Sequence, residues 1–404
     1  MRPAIGTPGT CVTLRYNQGE HNMRPWRIGV FLLLGLSLLG QKRNRDQRHW
    51  TEAEARQWYA REAWLVGANF IPSTASNELE MWQADTFDPT TIDRELGLAE
   101  GLGMNTVRVF LHYLVWREDA AGFERRINVF LKIAERHHIK TLFVLFDSCW
   151  DPFPEIGPQR PPQPGIHNSR WVQSPGAPYL MNPKEYDSVL AYVQHIIRDF
   201  GDDKRVVAWD LWNEPDNTNE GSYGPTEPAN KLALVEALLP QVFTYARAGL
   251  PQQPLTTGLW HGDWSSPSKL TAIEKIQLDN SDIISFHSYA KPAEFEQRVV
   301  WLEALQRPIL CTEYMARPNG STFQSILPIA KKHNIGAYNW GLVAGKTQTY
   351  LPWDSWQKPY INRQPAVWFH DIFHPDGTPY SPEEVAFLHS ILQREKAVKN
   401  QRAK

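Results

Sequence analysis

Two glutamates occupy equivalent places in the chain and could share one chemical task. Glu214 follows the apolar run 206–212, and Glu313 ends the apolar run 308–313, so each is predicted to stand at the carboxyl end of a β-strand. The 99 residues between them (313 − 214) leave room for three strand–helix units. Carboxyl groups in different surroundings can divide the roles of proton donor and nucleophile. The pattern therefore predicts acid–base and nucleophilic chemistry in one cavity.

Five further polar or aromatic side chains stand at matching strand ends: Arg108, Asn213, His287, Tyr289 and Trp340. If Arg108 and Tyr289 face Glu313, they favour its ionised form and lower its pKa, while Glu214 beside that charge stays protonated. Such a pair suits cleavage of a glycosidic bond, which needs an acid at the leaving oxygen and an ionised carboxylate near the anomeric carbon. A single glutamate at a strand end is more simply a helix-capping carboxylate, but the whole set favours a site.

Several aromatic residues lie just beyond strand ends, where they could stack on a flat ligand or simply pack the loops. They are Trp150, Trp260 with its neighbour His261, Trp264, Trp353 and Trp356. The three cysteines form no disulfide framework and no metal-binding spacing. No base is predicted beside Cys149 or Cys311, so a catalytic thiol is not expected.

Short apolar runs alternate with longer amphipathic ones along most of the chain. The predicted strands are 64–70, 106–111, 140–146, 206–212, 255–260, 282–287, 308–313 and 336–341. The predicted helices are 91–102, 125–138, 184–200, 229–248, 294–305 and 322–333. Eight strands alternating with helices predict an α/β fold with a parallel sheet, closed as a single (β/α)8 barrel. An open doubly wound sheet is the alternative, but no Gly-x-Gly-x-x-Gly turn follows the first strand.

A proline-rich segment follows the third predicted strand. Residues 149–183 contain nine prolines, together with Trp150, Trp171 and Tyr179. Proline reduces the entropy that is lost on ordering, so a loop of this length can hold one conformation and form a wall of the cleft. A disordered linker is the alternative interpretation.

The composition excludes several classes of protein. Lys and Arg total 42 against 44 Asp and Glu, so the basic surplus of a nucleic-acid-binding protein is absent. Aromatic residues make up 12% of the chain, which argues against disorder. The 17 tryptophans are numerous enough to suggest stacking surfaces as well as a core.

The chain is expected to have three parts: an extension 1–45, a barrel 50–395 and a charged tail 396–404. The apolar run 28–40 lies between basic residues and is too short to span a bilayer comfortably, so it resembles a secretory signal peptide. Met23 is then the expected start, and a secreted or periplasmic location follows. Without cleavage, the same run could anchor the protein to a membrane, and a cytoplasmic core helix is the remaining alternative.

The motif Asn213-Glu214-Pro215 after a strand, His287-x-Tyr289, Glu313 three strands later and Trp340 together resemble a clan A glycoside hydrolase. The resemblance is nearest to the family 5 cellulase–mannanase group and spans about 64–392. One position departs from it: family 5 members usually carry a histidine after strand three, where this chain has Asp147 and Ser148.

The resemblance implies a retaining mechanism without metal or organic cofactor, with Glu214 as general acid/base and Glu313 as nucleophile. It also assigns substrate contacts. Asn213 is expected to bind the sugar 2-hydroxyl, Trp340 to form the subsite floor, and His287 to lie near the acid/base. Asp147 is expected to take over a sugar-hydroxyl contact.

The sequence is compatible with three functions. The first is hydrolysis of a polysaccharide or oligosaccharide, with β-mannan or β-glucan as the expected substrate. The second is a barrel that binds carbohydrate without turnover. The third is a metal-dependent hydrolase, which is disfavoured because the first strand ends Gly67-Ala68-Asn69-Phe70 without a His-x-His ligand pair. The sequence does not distinguish action on chain ends from internal cleavage, nor does it give the oligomeric state.

Overall fold

The computed structural model describes residues 48–402, with the backbone alone for 393–402. The predicted extension 1–45, its apolar run 28–40 and the alternative start Met23 lie outside the described residues. Within the described part, no helix has the length and apolar character that crossing a membrane requires.

One parallel sheet forms the centre of the described structure. Its strands are β1 (Val66–Asn69), β2 (Thr106–Phe110), β3 (Lys140–Val144), β4 (Val206–Asp210), β5 (Leu255–Thr256), β6 (Gly258–Leu259), β7 (Ile284–His287), β8 (Ile309–Tyr314) and β9 (Gly336–Trp340). The strand order is β5-β4-β3-β2-β1-β9-β8-β7-β6. Only Thr257 separates β5 from β6, so both edges of the sheet meet in one chain segment. The predicted (β/α)8 barrel is confirmed, with the fifth predicted strand divided in two.

Helices surround the barrel. They are α1 (Glu52–Tyr59), α2 (Glu78–Trp82), α3 (Pro89–Leu102), α4 (Tyr113–Arg136), α5 (Ala177–Leu180), α6 (Tyr186–Phe200), α7 (Lys231–Ala248), α8 (Ala272–Asn280), α9 (Pro292–Glu303), α10 (Phe323–Lys332) and α11 (Pro382–Arg402). The strands are buried almost throughout, as expected where helices cover a parallel sheet. Helix α4 begins earlier than predicted, at Tyr113, and is kinked at Asp119. Helices α1, α2, α5, α8 and α11 have no counterpart among the predicted helices.

The strand register brings the candidate residues to one layer. Asn69 on β1 pairs with Arg108 on β2 and with Trp340 on β9. On the other side of the barrel, His287 on β7 pairs with Glu313 on β8. Because all strands are parallel, these residues stand at the carboxyl ends that form the mouth of the barrel.

The proline-rich segment after β3 is an ordered loop that folds back on the barrel. Asp147 and Asp151 form isolated bridges with Ser174 and Val172. The amide of Asn168 donates to the Thr347 carbonyl (2.7 Å) in the loop after β9. These contacts support the ordered-loop prediction over the linker.

Candidate active site

A single cavity of about 960 Å³ opens at the mouth of the barrel and is lined by residues from the loops after β3, β4, β6, β7 and β9. All the predicted site residues except Arg108 line it directly: Asp147, Trp150, Asn213, Glu214, Trp260, His261, His287, Glu313, Tyr289 and Trp340. Arg108 lies below the cavity floor and is fully buried. Strand ends distant in sequence are therefore gathered around one space.

Arg108 connects the residues beneath the cavity. Its Nη1 donates to Glu313 Oε1 (3.0 Å) and to Asn69 Oδ1 (2.8 Å). Its Nη2 donates to Asp210 Oδ2 and Asn213 Oδ1, both at 2.7 Å. A buried guanidinium that donates from both terminal nitrogens in this way fixes the orientation of each partner.

Glu313 is held by groups that favour its charged form. Besides Arg108, the Tyr289 hydroxyl donates to Glu313 Oε2 at 2.7 Å. Burial nevertheless raises the pKa of Glu313 above its ordinary value; nearby His287, Arg108 and Tyr289 act in the opposite direction. Arg108 and Tyr289 therefore act on this pKa in the predicted direction, but the net shift is upward, because removing water from a carboxyl that is only 5% exposed outweighs these contacts.

Glu214 has different partners. Its Oε2 accepts from Asn217 Nδ2 (2.6 Å) and from the Cys149 thiol (3.2 Å). Burial is the largest cause and raises its pKa, so the predicted tendency to stay protonated agrees with the structure. The backbone of Glu214 has a φ of 40°, in the left-handed region that non-glycine residues rarely adopt.

His287 lies between the two carboxyl groups. Its Nδ1 is 2.7 Å from Glu214 Oε1 and 3.6 Å from Glu313 Oε2. One ligand atom from each of these three residues falls within 4.8 Å of the others. Burial lowers the pKa of His287 to about 4, so the ring is neutral near pH 7. The two carboxyl groups are thus close enough to act on one sugar ring.

Asn213 and Asp147 form a second chain of contacts. Asn213 Nδ2 donates to Asp147 Oδ1 (2.9 Å), while its Oδ1 accepts from Arg108. Asp147 Oδ2 accepts from Trp171 Nε1 at 2.6 Å. Both Asp147 oxygens therefore have protein partners, and the arrangement favours a role in orienting Asn213 over the predicted sugar contact.

The aromatic candidates take different places. Trp340 packs edge-on against Phe110 and Trp171 at the base of the cavity. Trp150 stacks on Trp356, with ring centroids 5.3 Å apart. Trp353 also lines the cavity.

Trp260 and His261 form a separate group at the cavity wall. They bind the two carboxylate oxygens of Asp216, at 2.6 and 2.8 Å. Trp264 lies elsewhere: it is buried behind the cavity, where its Nε1 donates to Glu274, and it does not line the site.

Five of the cavity residues to which sequence reasoning assigned no role are supplied by loops: Asn217, Asp216, Cys149, His167 and His370. Cys149 was considered only as a nucleophile without a base. Burial raises the pKa of its thiol well above the ordinary value, so the thiol is a hydrogen-bond donor to Glu214 rather than a thiolate. None of the five stands at a predicted strand end, so the rule that found the other residues could not find these.

A scan of protein-family models gives no match, and a search of curated proteins gives no relative. Solved structures are similar in fold. A GH5_18 protein from Streptomyces cattleya, in complex with Manβ1-4GlcNAc, has a TM-score of 0.55 and 13% identity, covering 81% of this chain and 80% of that one. The exo-β-1,4-mannosidase Op5Man5 from Opitutaceae bacterium strain TAV5 has a TM-score of 0.55 and 17% identity, covering 82% of this chain but only 60% of its own.

A hyperthermostable endo-1,4-β-D-mannanase from Thermotoga petrophila RKU-1 has a TM-score of 0.50 and 14% identity, covering 81% of this chain and 99% of that one. At these identities the comparisons establish the barrel fold, which these glycoside hydrolases share with this chain.

Proposed function

We propose that this protein is a retaining β-glycosidase in which Glu313 is the nucleophile and Glu214 the general acid/base. The observation that carries the proposal is the pair of carboxyl oxygens within 4.8 Å in one cavity, with the Arg108 cation bound to Glu313 and not to Glu214. Retaining enzymes hold their carboxyl groups about 5–5.5 Å apart, whereas inverting enzymes leave roughly 6.5–9.5 Å for a water molecule.

The contacts of the two carboxyl groups explain how they share one proton. Both pKa values are raised by burial, and two negative charges this close repel each other. Arg108 and the Tyr289 hydroxyl stabilise charge on Glu313. The proton therefore resides on Glu214, which can give it to a leaving oxygen.

The first step forms a bond between a Glu313 oxygen and the anomeric carbon. The glycosidic C–O bond breaks, and the leaving oxygen takes the proton of Glu214. In the second step Glu214 accepts a proton from water, the water oxygen attacks the anomeric carbon, and the ester bond to Glu313 breaks. Asn213, held by Arg108 and Asp147, is oriented to bind the sugar 2-hydroxyl. These steps need no cofactor.

The proposed substrates are polysaccharides or oligosaccharides with a β-mannosyl or β-glucosyl unit. An exo-β-1,4-mannosidase and an endo-β-mannanase are among the structures that share the fold, which favours mannosides. The Trp150–Trp356 stack and Trp260 give the cavity flat apolar faces of the kind that sugar rings contact.

A panel of nitrophenyl β-glycosides and polysaccharides tests the function, with the first-formed anomer followed by NMR. We expect hydrolysis with a β-anomer as the first product, and loss of hydrolysis in Glu214→Gln and Glu313→Gln on unactivated substrates. An α-anomer as the first product would overturn the retaining mechanism. Sugar binding without any turnover by the wild-type protein would favour the non-catalytic alternative.

The metal-dependent alternative has one geometric argument, because Glu214, His287 and Glu313 could together ligate a divalent cation. Against it, His287 Nδ1 and Glu214 Oε1 already form a 2.7 Å hydrogen bond, and the Arg108 cation already faces Glu313. Activity should therefore survive dialysis against EDTA. Loss on dialysis and recovery with Zn²⁺ or Mn²⁺ would favour the metal-dependent reaction.

Secretion or periplasmic export is proposed from the apolar run 28–40 alone. Expression of the full chain, followed by N-terminal sequencing of the protein in the culture medium and in the membrane fraction, would separate cleavage from membrane anchoring. A full-length chain confined to the cytoplasm would contradict export.

A further inference from the structure

Two cavity residues outside the proposed mechanism form a pair on different loops. His167 lies in the loop after β3 and His370 in the loop after β9, and both line the cavity. Their ring centroids are 5.4 Å apart. Both side chains are almost completely buried by protein.

The hydrogen bonds of both rings fix which nitrogen carries the proton. His167 Nδ1 is 2.7 Å from the Leu351 carbonyl oxygen, and His370 Nδ1 is 2.5 Å from the Met315 carbonyl oxygen. Since a carbonyl oxygen only accepts, each Nδ1 must carry a hydrogen. Burial lowers the pKa of His167 to about 4 and that of His370 well below its ordinary value, so both rings are neutral. Each Nε2 is therefore a bare acceptor.

Neither acceptor is used within the described part of the chain. The Nε2 atoms of His167 and His370 have no hydrogen-bond partner among the residues that the structure describes. Unlike the Nε2 of His287, they are not sealed from solvent. Two unused acceptors therefore remain accessible from the cavity.

The pair lies on the side of the nucleophile. The His370 ring is 5.5 Å from the Tyr289 ring, whose hydroxyl contacts Glu313. Under the proposed mechanism the sugar ring that is attacked must lie over Glu313, whereas the leaving group must lie beside Glu214.

The loops hold the pair rigidly. The His167 amide donates to Ser355 Oγ (2.9 Å), and Trp356 Nε1 donates to the His167 carbonyl (2.9 Å). Acceptors fixed in advance lose little entropy when a ligand binds, so they can contribute to selectivity.

We propose that His167 and His370 form a specificity-determining pair that accepts hydrogen bonds from hydroxyl groups of the glycone, the sugar unit bound over Glu313. This inference rests on the proposed function. Two Nε2 acceptors that have no donor in the protein suit neutral sugars that bear hydroxyl groups. They disfavour deoxy sugars, which leave an acceptor unpaired, and uronic acids, whose carboxylate they repel.

The test uses His370→Asn and His167→Asn, because the asparagine amide can replace the Nδ1 donor while removing the Nε2 acceptor. The substrates are the preferred nitrophenyl glycoside, its 3-, 4- and 6-deoxy analogues and its uronide. We expect the wild-type kcat/KM to fall roughly tenfold on at least one deoxy analogue, the loss of one hydrogen bond. In the variant that removes the acceptor for that hydroxyl, kcat/KM on the parent substrate should fall by about the same factor. The difference between the parent and the deoxy substrate should then disappear.

His374→Asn is the matched control. His374 lies in the same loop, packs against Trp368 with its ring tilted and does not line the cavity, so this variant should keep the wild-type deoxy penalty. Thermal melting checks that each variant folds. A wild-type protein with no penalty on any deoxy analogue would overturn the inference, as would folded histidine variants that keep the full penalty.

Calorimetric binding separates this inference from the proposed function. The same glycosides are titrated into Glu313→Gln. A deoxy penalty in binding, combined with a wild-type protein that hydrolyses nothing, would support the histidine pair and refute the glycosidase. Hydrolysis by the wild-type protein without a deoxy penalty in kinetics or in binding would support the glycosidase and refute the histidine pair.

Discussion

The two carboxyl groups of the site differ in what holds them. The partners of Glu313 come from the strand ends: Arg108 on β2 and Tyr289 just beyond β7. Glu214 is held by neutral groups: His287 at the end of β7 and two loop donors, the Asn217 amide and the Cys149 thiol. The Arg108 cation joins Glu313 to the barrel, whereas Glu214 has no ion pair with an arginine or lysine among the residues that the structure describes.

The difference corresponds to the roles that we propose for the two groups. A nucleophile must be ionised when the substrate arrives, and a fixed cation favours that state at all times. An acid/base must lose its proton in one step and regain it in the next, so a bound cation would hinder half of the cycle. Neutral donors such as an amide and a thiol bias the protonation of Glu214 less.

The strongest test of this comparison varies the leaving group. Glu313→Gln should abolish turnover on every substrate, because no covalent intermediate can form. Glu214→Gln should lose roughly 10²–10⁴-fold in kcat/KM on natural glycosides but much less on dinitrophenyl glycosides, whose leaving group needs no acid. Steady-state kinetics with azide provides the check, since azide needs no base and should restore turnover in Glu214→Gln alone. Equal losses on both kinds of substrate would contradict the assignment.

A smaller effect is expected from Tyr289→Phe. The hydroxyl stabilises ionised Glu313, so its removal raises the pKa of that carboxyl further. Activity depends on Glu313 being ionised, and it therefore rises as pH increases through this pKa. The acidic limb of the kcat/KM profile should move to higher pH, with a loss of roughly ten- to a hundredfold at the optimum. A shift of the basic limb instead would assign Tyr289 to the wrong carboxyl.

The smallest effect is expected from Cys149→Ala, which removes the weak thiol donor from Glu214. The pKa of Glu214 should rise, and activity falls as pH increases through this pKa because the acid loses its proton. The basic limb should therefore move to higher pH, with little change in the acidic limb and only a severalfold change in kcat/KM. Cys149→Ser, which keeps a donor, is the matched control and should lie nearer to wild type.

The barrel could be predicted because its signal is local. Each predicted strand overlaps an observed one, since buried parallel strands are continuous apolar runs. Helix α8 was missed because it is short and largely polar; its only clear marker is the Thr271 and Glu274 capping box. The kink at Asp119 arises within α4, where the helical pattern continues on both sides.

The site was predictable to the extent that it stands on strand ends. Glu214, Glu313 and Arg108 could be placed together from topology alone. His167 and His370 could not, because their positions depend on hydrogen bonds between segments that are distant in sequence. The pKa direction of Glu313 was also beyond the sequence, since it depends on how much water the folded loops exclude.

At Glu214 the left-handed backbone sets two requirements against each other: the stability of the folded chain and the proposed catalysis. Such a conformation costs a non-glycine side chain of order 1–3 kcal/mol, and glycine would adopt it without strain. Selection for thermal stability alone would thus favour Glu214→Gly, which would give a more stable barrel without the proposed acid/base. A glutamate at this strained position is therefore accounted for by its proposed part in the reaction and not by the stability of the barrel.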